Sequence, residues 1–196
     1  MWFTVASMDV DWKTELAGQL DWHWQHQLRP RLIGLTDDEY FWEPVPRCWS
    51  IRRRGASAAP IAAGIGDHVI EFAYPEPEIP PVTTIAWRLG HMIVGVFGAR
   101  NAWHFGGPPT DYRTFEYAGT AAVALEQLDD VYAAWIKGVR GLGADGLARP
   151  TGPAEGPYAE HPLAELVLHR EAIHHGAEIA VLRDLHRAKG PDSDAV

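Results

Sequence analysis

The sequence predicts an all-α fold: a four-helix bundle with a long loop or lid crossing between the first and second long helices. Three observations carry that prediction. Apolar residues recur at helical spacing in four long stretches, capping residues bracket those stretches, and none sustains the alternation of a half-buried strand. The 196 residues fit one domain, 1–196, with a sizeable core.

The first helix is expected from about Asp9 to Gly34, with Leu16, Leu20, Trp24, Leu28, Leu32 and Leu35 as its apolar stripe. Pro30 lies inside this pattern, which predicts a kink or break near Leu28. A short helix follows at Asp37 to Trp42, where Thr36 and Glu39 read as a capping box. Residues 43–82 read as irregular, punctuated by prolines from Pro44 to Pro81. Val69 to Tyr74 alternates weakly and reads as a short strand or another extended piece. Trp49, Ile51, Phe72 and Tyr74 give the segment apolar anchors, which makes it a candidate lid rather than a linker.

The second helix is expected from Thr83 to Phe105, capped by Thr83 or Thr84 and stopped by Gly106-Gly107-Pro108-Pro109. The third runs from Gly119 to Leu142, with Val123, Leu128, Val131, Trp135 and Val139 facing the core. A Gly- and Pro-rich turn region spans 143–160. The fourth helix is expected from Pro162, a proline suited to the first helical position, to Lys189, with Gly190-Pro191 as the stop. The tail from Asp192 should fray.

Lys plus Arg number 17 and Asp plus Glu 26, a net charge of −9. An acidic chain lacks the basic footprint that nucleic acids and anionic membranes require, so neither is an expected partner. Cys48 is the only cysteine, which excludes a disulfide within the chain and a Cys-rich zinc knuckle. The opening residues lack the basic start and apolar run of a signal peptide, and no stretch has membrane-spanning length. A cytoplasmic location follows as the expectation.

The chemistry-bearing residues gather on two helices. Glu171 and His175 stand at i, i+4 on the fourth helix, about 400° around the axis and so on one face. His91, in Trp87-Arg88-Leu89-Gly90-His91, would supply a third donor from a facing helix, giving a facial N/O/N metal site with open positions. The alternatives are a solvated helix pair for Glu171 and His175, a hydrogen-bonded core imidazole for His91, and a Glu171–Arg88 ion pair without metal. Leu168, Ala172, Ile179 and Leu182 lie near the arc of Glu171, and a carboxylate aimed into a core needs a partner. Glu178 shares that face, while His169 and His174, about 140° apart, cannot easily chelate one ion.

His104 should face away from His91 and cap its helix end. His23 and His26 sit in an aromatic cluster on the first helix, where one of them could reach the pocket. His68, His161 and His186 read as surface residues. Cys48 reads as a small buried side chain. Arg52, Arg53 and Arg54 form a solvated basic run from which Arg52 could clamp a carboxylate. No nucleotide-binding glycine loop in strand–helix context, no Gly-x-Ser-x-Gly elbow and no His-Glu-x-x-His motif is present.

Trp49-Ser50-Ile51-Arg52, Leu89-Gly90-His91 and Glu171-Ala172-Ile173-His174-His175-Gly176-Ala177-Glu178-Ile179 together resemble the DinB-like superfamily of metal-dependent four-helix-bundle proteins. The resemblance covers about residues 12 to 188, and the closing helix is its most specific part. The superfamily includes mycothiol-dependent maleylpyruvate isomerases and bacillithiol transferases. In many relatives three histidines bind the metal; here Glu171 takes the middle place, as in the isomerase branch. The resemblance implies Zn²⁺, or Ni²⁺ as the second choice, on His91, Glu171 and His175. It also implies a thiol such as mycothiol and a small electrophile as partners. The implied activity is that of a thiol-dependent transferase or isomerase. The alternatives are a metal-dependent hydrolase and a non-catalytic metal-binding or stress-related module. Glu178, His174 and His23 are the candidate groups behind the ligands. Relatives often pair through helix faces, so a homodimer is expected, with Trp2 and Phe3 as contributors. The insertion after Trp49-Ser50 is longer than in simpler members.

Overall fold

The computed structural model describes residues 10–167 and 169–189. The expectations for Trp2, Phe3, Leu168 and the tail beyond residue 189 lie outside the described residues.

The chain opens with α1 (Trp12–His23), capped by Asp11 accepting from the Thr14 amide. It continues through a π turn (Trp24–Leu28) into α2 (Arg29–Arg31). Pro30 therefore neither breaks nor ends the helix. Proline lacks an N–H and crowds the preceding turn; the wider π turn just before it, closed by the Arg29 amide on the Trp24 carbonyl, accommodates both. Leu20, Trp24, Leu28, Leu32 and Leu35 are buried, as their spacing predicts. Helix α3 (Asp37–Phe41) begins with the Thr36/Glu39 capping box fully formed.

Residues 43–82 hold the main departure from expectation, two strands beyond the one that Val69–Tyr74 suggested. They build a three-stranded antiparallel sheet in the order β1 (Ile51–Arg53), β3 (His68–Phe72), β2 (Ile61–Ala63). Ile51 pairs with Ile70 and Ile61 with Phe72. Strands this short give too few residues to show a period of two, and one of them (Ile61–Ala63) directly follows a proline. Ile51 and Ile70 are buried against the next helix at Gly90, where any Cβ would lie 2.9 Å from the Ile51 Cδ1 and 3.3 Å from the Ile70 Cδ1. The sheet thus sits on the helix that carries His91. Tyr74 is not an anchor: it is 88% exposed.

Helix α4 (Ile85–His91), capped by Thr84, runs through a second π turn (Met92–Gly98) into α5 (Ala99–Phe105), which ends at Gly106. Helix α6 (Ala121–Arg140), capped by Thr120, buries Leu128, Trp135 and Val139 as expected, while Val123 is 44% exposed and Val131 only half-buried. Short turns follow at α7 (Ala144–Ala148) and at a 3-10 segment (Pro153–Tyr158).

The expected fourth helix is two pieces. Helix α8 (Ala164–Val167) stops, His169 takes a left-handed conformation at φ 50, and α9 (Arg170–Ala188) starts afresh. Pro162 pairs with Pro150 in a bridge rather than starting the helix.

Three side-chain contacts fix the helices around the core. Trp24 stacks on Tyr132 at 3.7 Å, Phe97 packs against Trp135, and Arg183 of α9 reaches the Glu39 carboxylate of α3 at 2.8 Å. Among the described residues, no helix is long and apolar enough to cross a membrane.

Candidate metal centre

His91 is the last residue of α4 before the π turn, the kind of helix irregularity that collects at functional sites. Glu171 and His175 stand one turn apart on α9. One donor atom from each of His91, Glu171 and His175 lies within 4.8 Å of the others. The two imidazoles meet edge to face with centroids 4.8 Å apart, and His175 Nε2 is 3.5 Å from the Glu171 carboxylate. Two donors on one zinc ion stand at most about 4.2 Å apart, twice a bond of about 2.1 Å. The Glu171–His175 pair already lies within that limit at 3.5 Å, and no pair of donors exceeds it by more than about 0.6 Å. The donor set and its spacing fit a divalent ion.

Each imidazole is held from behind. The Glu178 carboxylate accepts from His175 Nδ1 at 2.7 Å, which leaves the lone pair on Nε2. The Tyr112 hydroxyl lies 2.6 Å from His91 Nδ1 and can accept from it in the same way. Such outer contacts fix the tautomer and orientation of metal-binding histidines. Trp87 stacks on His91 at 5.3 Å, and Arg88 ion-pairs with Glu178. Burial pushes His91 down to about 3, and repulsion from His175 when that ring is protonated, and from Arg100 and Arg88, adds to it. Burial also lowers His175, against the opposing pull of Glu178. Burial pushes the Tyr112 phenol up to about 12, so it stays a neutral hydrogen-bonding group. Both rings are therefore neutral at physiological pH, the form that a metal requires.

Gly95, one turn after His91, is what admits Tyr112. A Cβ there would collide with the Tyr112 hydroxyl and stand 3.4 Å from His91 Cε1. Beside the trio lies a cleft of about 560 Å³, lined among others by His91, Arg100, Trp103, Tyr112, Tyr158 and Glu171. Arg100 forks onto Glu155, whose carboxylate also meets His104 Nε2 at 3.0 Å.

Other sequence candidates fall in different places. Glu171 is exposed rather than aimed into the core, and Arg88 pairs with Glu178 instead of Glu171. His174, exposed, lies 3.4 Å from Glu178. A second acidic-imidazole group, His174, His175 and Glu178, is less suited to an ion, because Arg88 and His175 Nδ1 both already hold Oε2 of Glu178. His23 Nε2 is buried without a hydrogen-bond partner, and His26 stacks on Trp22; neither belongs to the cluster. Arg52 is not available to a substrate: Glu43, Glu71 and the Cys48 carbonyl take its guanidinium. His104 does not cap its helix; it is buried against Glu155. Cys48 is buried as expected.

Sequence reasoning missed Tyr112, Gly95 and Arg100. Tyr112 sits in the non-helical stretch after Gly106, where no period announces a partner. Gly95 did carry a signal, a residue without a side chain at i+4 from a candidate ligand.

A family model described as the DinB superfamily matches residues 19–179 of the chain. Comparison with the curated proteins and with the solved structures gave no match.

Proposed function

The chain belongs to the DinB superfamily, and on that premise we propose that it is a divalent-metal protein, zinc first, whose ligands are His91, Glu171 and His175. In this reading the long helical segments form a single-domain four-helix bundle, and the activity is thiol-dependent transfer or isomerisation. The observation that carries the metal reading is the convergence of the three donors with both Nδ1 atoms held from behind. The thiol reading has a different support: the resemblance of the Leu89-Gly90-His91 and Glu171-to-Ile179 motifs to thiol-dependent relatives.

When bound, the ion supplies Lewis acidity, lowering the pKa of a neighbouring thiol or water. The chain's own residues do the rest. Tyr112 and Glu178 hold the two rings in register. Arg88 neutralises Glu178 and so keeps its carboxylate from competing as a ligand. The adjoining cleft has room for a low-molecular-weight thiol and a small electrophile. A homodimer is part of the proposal and is checked by sedimentation.

Elemental analysis of the purified protein tests the site. We expect about one equivalent of divalent metal per chain and a clear loss in both Glu171→Gln and His175→Ala. Unchanged content in both variants rejects the ligand set. The metal-loaded protein is then assayed with thiols against a panel of electrophiles. Acceleration over the chelated protein supports transfer or isomerisation, and no acceleration with any thiol discards it.

A further inference from the structure

Between the inserted sheet and α4 lies a second groove, of about 350 Å³, which shares Tyr112 with the cleft beside His91. Its walls are Trp49, Phe72, Tyr74, Trp87 and Tyr112, and the charged residue among its lining is Glu76. The rings stand at angles rather than in one stack: Trp49 and Trp87 are 6.5 Å apart and tilted 31°, Phe72 and Tyr112 6.0 Å apart and tilted 53°. Five aromatic side chains thus line one groove, and neither of these two pairs is closed into a parallel stack.

The polar tips of the inner walls are already committed. The Trp87 indole N–H donates to the Glu71 carbonyl at 2.6 Å, and the Tyr112 hydroxyl is bound to His91. Neither is free to receive an anion or a carbonyl. Glu76 is exposed and has no ion-pair partner among the described residues. Aromatic faces carry negative quadrupole potential, and among the described residues no Lys or Arg lines the groove to offset it. The net charge of −9 adds to the attraction for cations at long range.

We propose that this groove binds an organic cation, a quaternary or N-alkylated ammonium group. The aromatic walls hold the alkylated head and Glu76 stands at the mouth as the counter-charge. A cation without N–H groups suits aromatic walls whose inner polar tips, on Trp87 and Tyr112, are already hydrogen-bonded. Trp87 and Tyr112 each contact His91, so a ligand in the groove would lie one ring away from the metal centre. The proposal does not depend on that centre being occupied.

The test uses the full chain after chelation, so its outcome is separate from that of the metal reading. Tryptophan fluorescence is titrated with benzyltrimethylammonium, with choline and with 3,3-dimethylbutan-1-ol, the uncharged isostere of choline. Choline should bind about 2- to 30-fold more tightly than the isostere, the range that a cation on aromatic faces supplies. Tyr74 and Glu76 are both exposed, so Tyr74→Ala and Glu76→Gln should leave the fold intact. Each should weaken cation binding several-fold, and Glu76→Gln should leave the neutral ligand unchanged. Equal affinity for choline and its isostere, no binding of any cation, or cation binding indifferent to both variants would overturn the assignment.

Discussion

At the scale of single residues, two contacts that touch no ion bear on how well His91 would serve as the proposed ligand. The Tyr112 hydroxyl fixes the ring through Nδ1, and Gly95 leaves the space in which that hydroxyl sits. Tyr112→Phe should therefore lower metal affinity about 10- to 100-fold, the usual cost of losing an outer-shell partner. Gly95→Ala should do the same by a different route, because its methyl evicts the hydroxyl. Competition with a chromophoric chelator measures both; affinities equal to wild type would show that Tyr112 does not orient the ring. Acid stability is set by a different property of the same histidines. Burial lowers His91 to about 3, pushes His169 well below its ordinary value, and lowers His104 and His175 as well. Folded, these rings resist protonation; unfolded, they take protons near pH 6.5. The unfolded state thus binds more protons between those values, and stability falls as pH drops from about 6.5 towards about 3. Melts of the chelated protein should show a lower Tm at about pH 5 than at about pH 7. An equal or higher Tm at the acid value would contradict the burial argument.

At the scale of elements, the ion pair between α9 and α3 carries the sharpest prediction. Arg183 is 1% exposed and Glu39 5%, and the arginine also donates to the Arg31 and Ile33 carbonyls, tying the α2–α3 turn to α9. Arg183→Ala leaves the buried carboxylate with only the longer contact to the exposed Arg187, at 3.7 Å, and should cost about 3–5 kcal/mol in urea unfolding. Replacing both partners, Arg183→Met with Glu39→Leu, should recover much of that loss; a double variant as unstable as the single one would place the cost elsewhere. The pattern along the chain made α6 and the Thr36 capping box readable, because a sustained 3.6-residue stripe and a paired cap are local signals. What the chain hid was non-local. The three short strands hold only through pairing with one another and through the fit of Ile51 and Ile70 against Gly90. The break at His169 was equally hidden. The apolar pattern runs straight across it, and the left-handed residue there is a histidine that packs between Phe97 and Trp135 rather than the glycine or asparagine that would mark a turn. For the candidate site, i, i+4 spacing brought out Glu171 and His175, and Leu89-Gly90-His91 brought out the third residue. The exposure of Glu171 was not legible, since it depends on where α9 begins after that break.

At the scale of the whole molecule, the trio joins segments of chain far apart in sequence. His91 belongs to α4, which supports the inserted sheet, and Glu171 and His175 belong to α9, whose other end is bound to α3 through Arg183. An ion shared by α4 and α9, as proposed, would be present only when both are in place, so its binding free energy would be added to the folded state alone. Free metal at a hundredfold excess over Kd stabilises such a state by about 2.7 kcal/mol. For a chain of this length each kcal/mol moves Tm by about 2–4 °C, which gives an expected rise of about 5–11 °C on loading the chelated protein. The shift should vanish in His91→Ala, whose imidazole faces the trio and not the helix core contacts of Leu89 and Met92, and it should shrink in Glu171→Gln. A Tm that does not respond to zinc or nickel in the wild type, or a response that persists in His91→Ala, would show that these three residues do not bridge the helices through an ion. Since α4 also backs the aromatic groove through Trp87, metal loading should steady that wall too. Choline affinity should then rise modestly with zinc present while its preference over the neutral isostere stays the same.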